Sequence, residues 1–99
     1  MSMTMTQKIL AAKANLSHVE AGDLITLPID IAMGNDITAP VAINELIKYD
    51  KISVKSPEKV VFVADHFTPN KDIKAAENVK QLRIYAQEHG ISHFFDVGR

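Results

Sequence analysis

The chain has 99 residues, a formal net charge of -1 and 46% apolar residues, a composition typical of one ordinary globular domain. The near-neutral charge, with no basic run, argues against nucleic acid or an anionic membrane as the main partner. No apolar stretch is long enough to span a membrane, and the sequence contains no cysteine. We therefore expect a cytoplasmic protein without disulfides or a thiolate metal site of its own.

The first half of the chain carries helix, strand and helix signals in turn. Thr4 and Gln7 have the spacing of a capping box, which predicts a helix over residues 5–14. Period-two alternation predicts a strand with one well-buried face over residues 25–33. A second helix follows, with Thr38 as its N-cap residue.

The second half repeats this alternation after a polar connection at residues 51–58. The apolar, β-branched run at residues 60–64 predicts a strand that is buried on both faces. A long helix is predicted over residues 70–88, and Gly90 supplies its left-handed end. A last strand is predicted over residues 93–97.

The predicted order is helix, strand, helix, strand, helix, strand. Such alternation is typical of parallel strands joined by right-handed crossovers, so we expect an α/β fold, a three-layer piece built around a parallel sheet. No linker or repeat divides the chain, and we expect residues 1–99 to form a single α/β unit. The chain stops directly after a strand, where a loop or helix should follow, so we expect a truncated piece of a larger domain.

Polar residues follow two of the predicted strands, and in a parallel sheet both loops would lie at one edge, where α/β proteins usually bind ligands. Asp65 beside His66 can fix the tautomer of the imidazole and favour its protonated form, which suits it to donate a proton. Asn35 offers an amide donor and acceptor, and Thr38 offers a hydroxyl at a helix amino end that suits an anion. Asp36 belongs to the same loop. Asn35, Asp36 and Thr38 could instead serve only as helix caps and turn formers, and Asp65 could cap the following turn while His66 packs against the sheet.

The remaining histidines are poor candidates for a metal site. His89 and His93 are four residues apart, but Gly90 breaks the helix between them, so they should not share a face. His18 is isolated in a polar loop. We therefore predict no metal ligands in this chain.

Three segments carry a family resemblance: MTQKIL at residues 5–10, GNDITAP at residues 34–40 and DHFTPNKDIK at residues 65–74. The last two are long and specific, and the order and separation of all three also fit. Together they resemble the start of the large subunit of the 3-isopropylmalate dehydratase and homoaconitase group, in the aconitase superfamily. The resemblance runs the length of the chain.

The resemblance implies a hydro-lyase that moves a hydroxyl group between neighbouring carbons of a hydroxy-di- or tricarboxylic acid through a dehydrated intermediate, as in leucine biosynthesis. A [4Fe–4S] cluster would act as the Lewis acid of the whole enzyme. By resemblance, His66 would be the acid that helps the hydroxyl leave, and Asp65 its orienting partner. Asn35 stands where the family carries an amide that contacts substrate. Asp36 and Thr38 would lie near substrate or cluster.

The chain also departs from the family pattern. Family members hold the cluster with cysteines, including a Cys-x-x-Cys pair, downstream of the matched region, and this chain has none. The serine that acts as base usually belongs to the small subunit, which is an implied partner together with a small hydroxy acid substrate.

These departures lead us to expect an amino-terminal fragment that binds no cluster, is inactive alone and tends to self-associate. The alternative is an autonomous small α/β domain with a binding or structural role. A receiver-like phosphoacceptor with Asp65 at a strand end is a weaker reading, because the acidic cluster and the lysine it needs are not evident.

Overall fold

The computed structural model describes residues 2–49 and 54–98, in which helices and strands alternate. This alternation confirms the predicted α/β class. In chain order the elements are α1 (Met5–Lys13), β1 (Ala32–Asn35), α2 (Thr38–Ile47), β2 (Val60–Val63), α3 (Ile73–Glu88) and β3 (His93–Phe95), with a short 3-10 turn at Pro57–Lys59. The predicted polar connection at residues 51–58 lies partly outside the described residues.

Contacts divide the chain into two compact units, residues 1–30 and residues 31–99. The first unit contains α1, whose capping box is formed as predicted. The backbone N–H of Gln7 donates to the Thr4 hydroxyl, and the backbone N–H of Thr4 donates to the Gln7 side chain. The second unit contains the three strands with α2 and α3. That the whole chain is a single unit of a larger domain stays a prediction. No helix among the described residues is long and apolar enough to cross a membrane.

The three strands form one parallel sheet in the order β1-β2-β3, which confirms the predicted parallel pairing. Gly34, Phe62 and Phe94 are aligned across the sheet, so their side chains point to the same face. This face packs against both helices of the second unit. The core on it consists of Ala39, Ile43, Phe62, Leu82, Tyr85, Ala86 and Ile91.

Gly34 explains how closely α2 approaches β1. A Cβ atom added at Gly34 would lie 2.8 Å from the Cβ of Ala39, which is shorter than any normal carbon contact. The missing side chain therefore lets the first turn of α2 pack directly on the strand that precedes it. This close approach places the β1–α2 loop tightly against the end of the sheet.

The opposite face of the sheet is less well covered. Met33 is 72% exposed and Phe95 is 45% exposed, and both point away from the core with Val61 and Val63. β2 is therefore buried on one face only, with Phe62 buried and its valines half-buried, where the sequence predicts burial on both faces. A helix over this second face, the third layer, stays a prediction.

The strand predicted over residues 25–33 is wrong in extent and burial. β1 begins only at Ala32, and Ile29, Ile31 and Met33 of the predicted apolar face are 61%, 64% and 72% exposed. The physical reason is the length of the partner: β2 has four residues, so it can pair with only four residues of its neighbour. An alternating apolar segment forms a strand only where a neighbouring strand is present to pair with it.

The long helix begins at Ile73, three residues after the predicted start at residue 70. Asp72 is its N-cap, and its carboxylate accepts a hydrogen bond from the backbone N–H of Ala75 at 2.8 Å. At the other end, Gly90 has φ +69, so the predicted left-handed end of the helix is confirmed. The last strand, β3, ends at Phe95, two residues short of the prediction.

Candidate active site at the carboxyl ends of the strands

β1 and β2 end side by side, because Asn35 and Val63 are partners in the parallel register. The loops that follow, with Asn35 and Asp36 in one and Asp65 and His66 in the other, therefore lie together at the carboxyl edge of the sheet. That is the edge at which open α/β sheets bind ligands. The structure brings these sequence-predicted residues together around His66, which contacts each of the other three.

Asp65 and His66 form a hydrogen-bonded pair, with Oδ1 of Asp65 2.7 Å from Nδ1 of His66. This bond is the main reason why the pKa of His66 is raised, and the charges of Asp65 and Asp36 add to the increase. An acceptor at this distance requires a proton on Nδ1, which leaves Nε2 as the nitrogen that can exchange a proton with a ligand. Both side chains are about half exposed, so a ligand can reach them.

The orientation of the Asn35 amide is set by its own helix. Its Oδ1 accepts hydrogen bonds from the backbone N–H of Ile37 at 2.9 Å and of Thr38 at 2.8 Å. Because backbone N–H groups can only donate, the oxygen must face them and the NH₂ group must face away. Nδ2 of Asn35 then lies 3.4 Å from Nε2 of His66. Asn35 thus caps α2 and presents an amide donor to the imidazole.

Thr38 lies beside this amide but is not the N-cap residue that the sequence predicts. It is the first residue of α2, and its hydroxyl donates to Oδ1 of Asn35 while accepting the backbone N–H of Asn35, both at 3.1 Å. The capping function has passed to Asn35 because its longer side chain reaches the two free N–H groups from a position before the turn. Thr38 therefore holds the Asn35 amide in place.

Asp36 is the residue whose position sequence reasoning missed. Its side chain is 1% exposed and accepts hydrogen bonds from the backbone N–H groups of His66 and Phe67, at 2.9 and 2.8 Å. Burial by itself would raise its pKa, but the backbone hydrogen bonds, first those from Phe67 and His66, outweigh burial and lower it. An Asp after Asn in a polar loop has the sequence signal of an ordinary turn, so no local pattern identifies this role.

The acidic groups of this site are engaged in hydrogen bonds within the protein. Ligand atoms of Asp36, Asp65 and His66 lie within 4.8 Å of one another. Both carboxylate oxygens of Asp36 are already occupied by backbone donors, however, and Nδ1 of His66 is occupied by Asp65. The histidine pair also does not meet on one helix, since His89 is the C-cap of α3 and stacks on Tyr85, whereas His93 lies in β3.

The loop is closed by Thr68, whose hydroxyl donates to the carbonyl oxygen of Ala64 at 3.0 Å. This bond returns the chain to the end of β2 after Asp65 and His66. Together with the contacts from Asp36, it restricts the turn that carries the histidine. The site is therefore built from a rigid backbone with half-exposed side chains on its surface, which is what positioned acid–base chemistry requires.

No family model matches the chain. Curated proteins match it closely over its whole length. It is 57% identical over 99 residues to the 3-isopropylmalate dehydratase large subunit of Moorella thermoacetica, and 57% identical over 98 residues to that of Clostridium beijerinckii. The same subunit from Clostridioides difficile is 55% identical over 98 residues. The chain spans about a quarter of the length of these relatives, 23–24%. The chain thus belongs to the 3-isopropylmalate dehydratase large-subunit family and corresponds to the amino-terminal part of its members.

Proposed function

We propose that this chain forms one wall of the active site of a hydro-lyase, in which His66 is the general acid. The whole enzyme would isomerise a hydroxy-di- or tricarboxylic acid of the 3-isopropylmalate or homocitrate type by dehydration and rehydration. The observation that carries the proposal is the 2.7 Å contact between Asp65 and His66 at the carboxyl edge of a parallel sheet. The identity to large subunits over the whole chain supports the reaction class.

The geometry supports a specific path for the proton. Asp65 holds the proton on Nδ1 of His66 and raises its pKa, which favours the ring that also carries a proton on Nε2. A substrate hydroxyl within hydrogen-bond reach of Nε2 would receive that proton as its C–O bond breaks and leave as water. A base outside this chain would take the proton from the neighbouring carbon, and the electrons of that C–H bond would form the C=C bond of the dehydrated intermediate. In the rehydration step the neutral imidazole would take a proton back from water at the same nitrogen.

Asn35 and Thr38 are proposed to contact the substrate together. Oδ1 of Asn35 already accepts two backbone N–H groups at the start of α2. The Nδ2 group is therefore the part of the amide that can bind a ligand, and its hydrogens can donate to a carboxylate or hydroxyl oxygen. Thr38 is exposed beside it, and its hydroxyl keeps one lone pair after its two bonds to Asn35, so it could accept a hydrogen bond from a substrate hydroxyl. The burial of Asp36 speaks against the direct contact with substrate that the family resemblance implies for its loop, and we assign Asp36 a different role below.

A [4Fe–4S] cluster, where bound, would supply the Lewis acid of the whole enzyme. The donor set of this chain does not fit it, since its 99 residues include no cysteine thiolate. The roles proposed here therefore belong to this chain's own side chains. The name of the relatives, large subunit, supports a small subunit as partner, and we propose that the enzyme acts in the cytoplasm.

The test is His66→Ala in the full-length large subunit, assayed together with its small subunit. We expect kcat to fall by about 10²–10⁴, the usual effect of removing a positioned acid–base group. His93→Ala is the matched control, because His93 is exposed in β3 and lies outside the site. Full activity of the His66 variant would refute the proposed role of His66 as general acid. The purified 99-residue chain alone should show no turnover, and detectable turnover would contradict that part.

A further inference from the structure

Asp36, in the β1–α2 loop, has a charged side chain that is 1% exposed, and among the described residues it is the one buried charged group. A buried carboxylate is costly unless it is hydrogen-bonded, so its position requires an explanation. Its partners are neither lysine nor arginine but two consecutive backbone N–H groups of the loop after β2. The contacts cross 30 and 31 residues of sequence, so they join two loops that are adjacent only in the folded chain.

The two bonds divide the carboxylate between neighbouring residues. Oδ1 accepts the N–H of His66 at 2.9 Å, and Oδ2 accepts the N–H of Phe67 at 2.8 Å. Two bonds to consecutive amides leave the peptide between them little freedom to rotate. The Cα of His66 is therefore fixed from one side, while Asp65 and Asn35 hold its ring at Nδ1 and near Nε2.

The charge of Asp36 also reaches the ring. Its Oδ1 lies 4.0 Å from Nδ1 of His66, which makes it a second anion beside the imidazole. Among the described residues, the charged groups that act on this histidine are the carboxylates of Asp65 and Asp36, and Asp65 has the larger effect. Because Asp36 is almost completely excluded from solvent, its field is screened less than that of a surface carboxylate.

We propose that Asp36 is a positioning residue for His66, which fixes the backbone under the imidazole and places a second negative charge beside it. The relevance of this role to catalysis rests on the proposed function, but the contact itself does not. A direct role of Asp36 on substrate would need a free carboxylate oxygen at the surface. Both oxygens are instead committed to the His66 and Phe67 amides.

The experiment is an NMR titration of the 99-residue chain and three single variants, Asp36→Asn, Asp65→Asn and Asp72→Asn. The His66 Cε1 proton reports the pKa of the imidazole. We expect this pKa to fall most in Asp65→Asn, less in Asp36→Asn, and not at all in the control Asp72→Asn, which removes a helix-capping carboxylate elsewhere. Hydrogen exchange of the His66 and Phe67 amides should accelerate about tenfold or more in Asp36→Asn alone.

A measurement on the unmodified chain covers the case in which Asp36→Asn fails to fold. The amide proton shifts of His66 and Phe67 should follow the titration of the Asp36 carboxyl carbon, below its ordinary pKa of 3.8. Amides that ignore this titration, or a His66 pKa equal in Asp36→Asn and Asp72→Asn, would overturn the proposal. These readouts need no activity, so the contact can be confirmed even if His66 proves dispensable for catalysis in the full-length enzyme.

Discussion

The neighbours of His66 have opposite effects on the protonation of its imidazole. Asp65 and Asp36 place negative charge near Nδ1 and favour the protonated ring. Asn35 presents an NH₂ donor 3.4 Å from Nε2, which favours a lone pair at that nitrogen. A proton on Nε2 therefore faces a donor and lacks an acceptor in this arrangement. A ligand oxygen that entered between His66 and Asn35 would supply that acceptor, which suits a group that must give its proton away.

The same pKa shifts predict how stability depends on pH. The pKa values of Asp36 and Asp72 are lowered from 3.8, so the stabilisation they contribute is complete above 3.8 and is lost as pH falls through their folded pKa. The pKa of His66 is raised from 6.5, so its contribution is complete below 6.5 and is lost as pH rises through its folded pKa. We expect the free energy of unfolding to be highest between pH 3.8 and pH 6.5.

Urea unfolding followed by circular dichroism across this range would test the prediction. His66→Gln should remove the loss on the alkaline side only, because it has no imidazole to deprotonate. Asp36→Asn should reduce the loss on the acid side and, to a smaller extent, the loss on the alkaline side, because it also removes a charge that raises the pKa of His66. A stability curve that is flat on both sides, or variants that affect the wrong side, would show that these groups are not coupled to folding.

Among the elements, α3 has apolar side chains that differ widely in burial. Val79 and Leu82 are 0% exposed, whereas Ile73, its first residue, is 82% exposed. Leu82 packs with Phe62 of β2 and Ile43 of α2 in one core. The helix begins at Ile73 rather than at residue 70, because the carboxylate of its N-cap residue Asp72 satisfies a free N–H group of the first turn. Which apolar residues stabilise α3 therefore depends on this starting point.

Leu82→Ala should lower the free energy of unfolding by about 2–5 kcal/mol, because it removes buried methyl groups and leaves a cavity. Ile73→Ala, on the same helix, should change it by less than about 0.5 kcal/mol, since its side chain contacts solvent. Chemical unfolding of both variants would measure the difference. Similar losses at the two positions would show that the core does not lie where the contacts place it.

At the scale of the whole molecule, the sheet has helices on one face and apolar side chains on the other. Met33 and Phe95 are 72% and 45% exposed, and they belong to the same face as the half-buried Val61 and Val63. Parallel sheets in α/β proteins are normally covered on both faces. An uncovered apolar face favours association with another surface, because burying it removes apolar area from water.

We accordingly expect the 99-residue chain to self-associate as its concentration rises, measured by sedimentation velocity. Phe95→Lys should weaken this association, since it places a charge on the apolar face. Ile73→Lys is the control, because Ile73 is equally apolar and more exposed but lies on a helix. A monodisperse monomer at all concentrations would contradict the prediction, and so would equal effects of the two substitutions.

Local features that depend on neighbouring residues could be predicted from the sequence alone. The capping box at Thr4 and Gln7, the left-handed end at Gly90 and the pairing of Asp65 with His66 are all satisfied within a few residues of chain. The α/β class follows for the same reason, because it depends on alternation of local signals. The family resemblance, carried by long contiguous segments, is likewise local and is confirmed by the relatives.

Features that depend on contacts between residues distant in sequence could not be predicted from local patterns. Residues 25–31 alternate like a strand, yet they are left outside the sheet because β2 offers only four residues for pairing. Asp36 reads as a turn residue, yet burial and two amides from a loop 30 residues away turn it into a buried anchor. A local pattern states what a residue can do, but desolvation and the geometry of distant backbone groups select which of those roles it has.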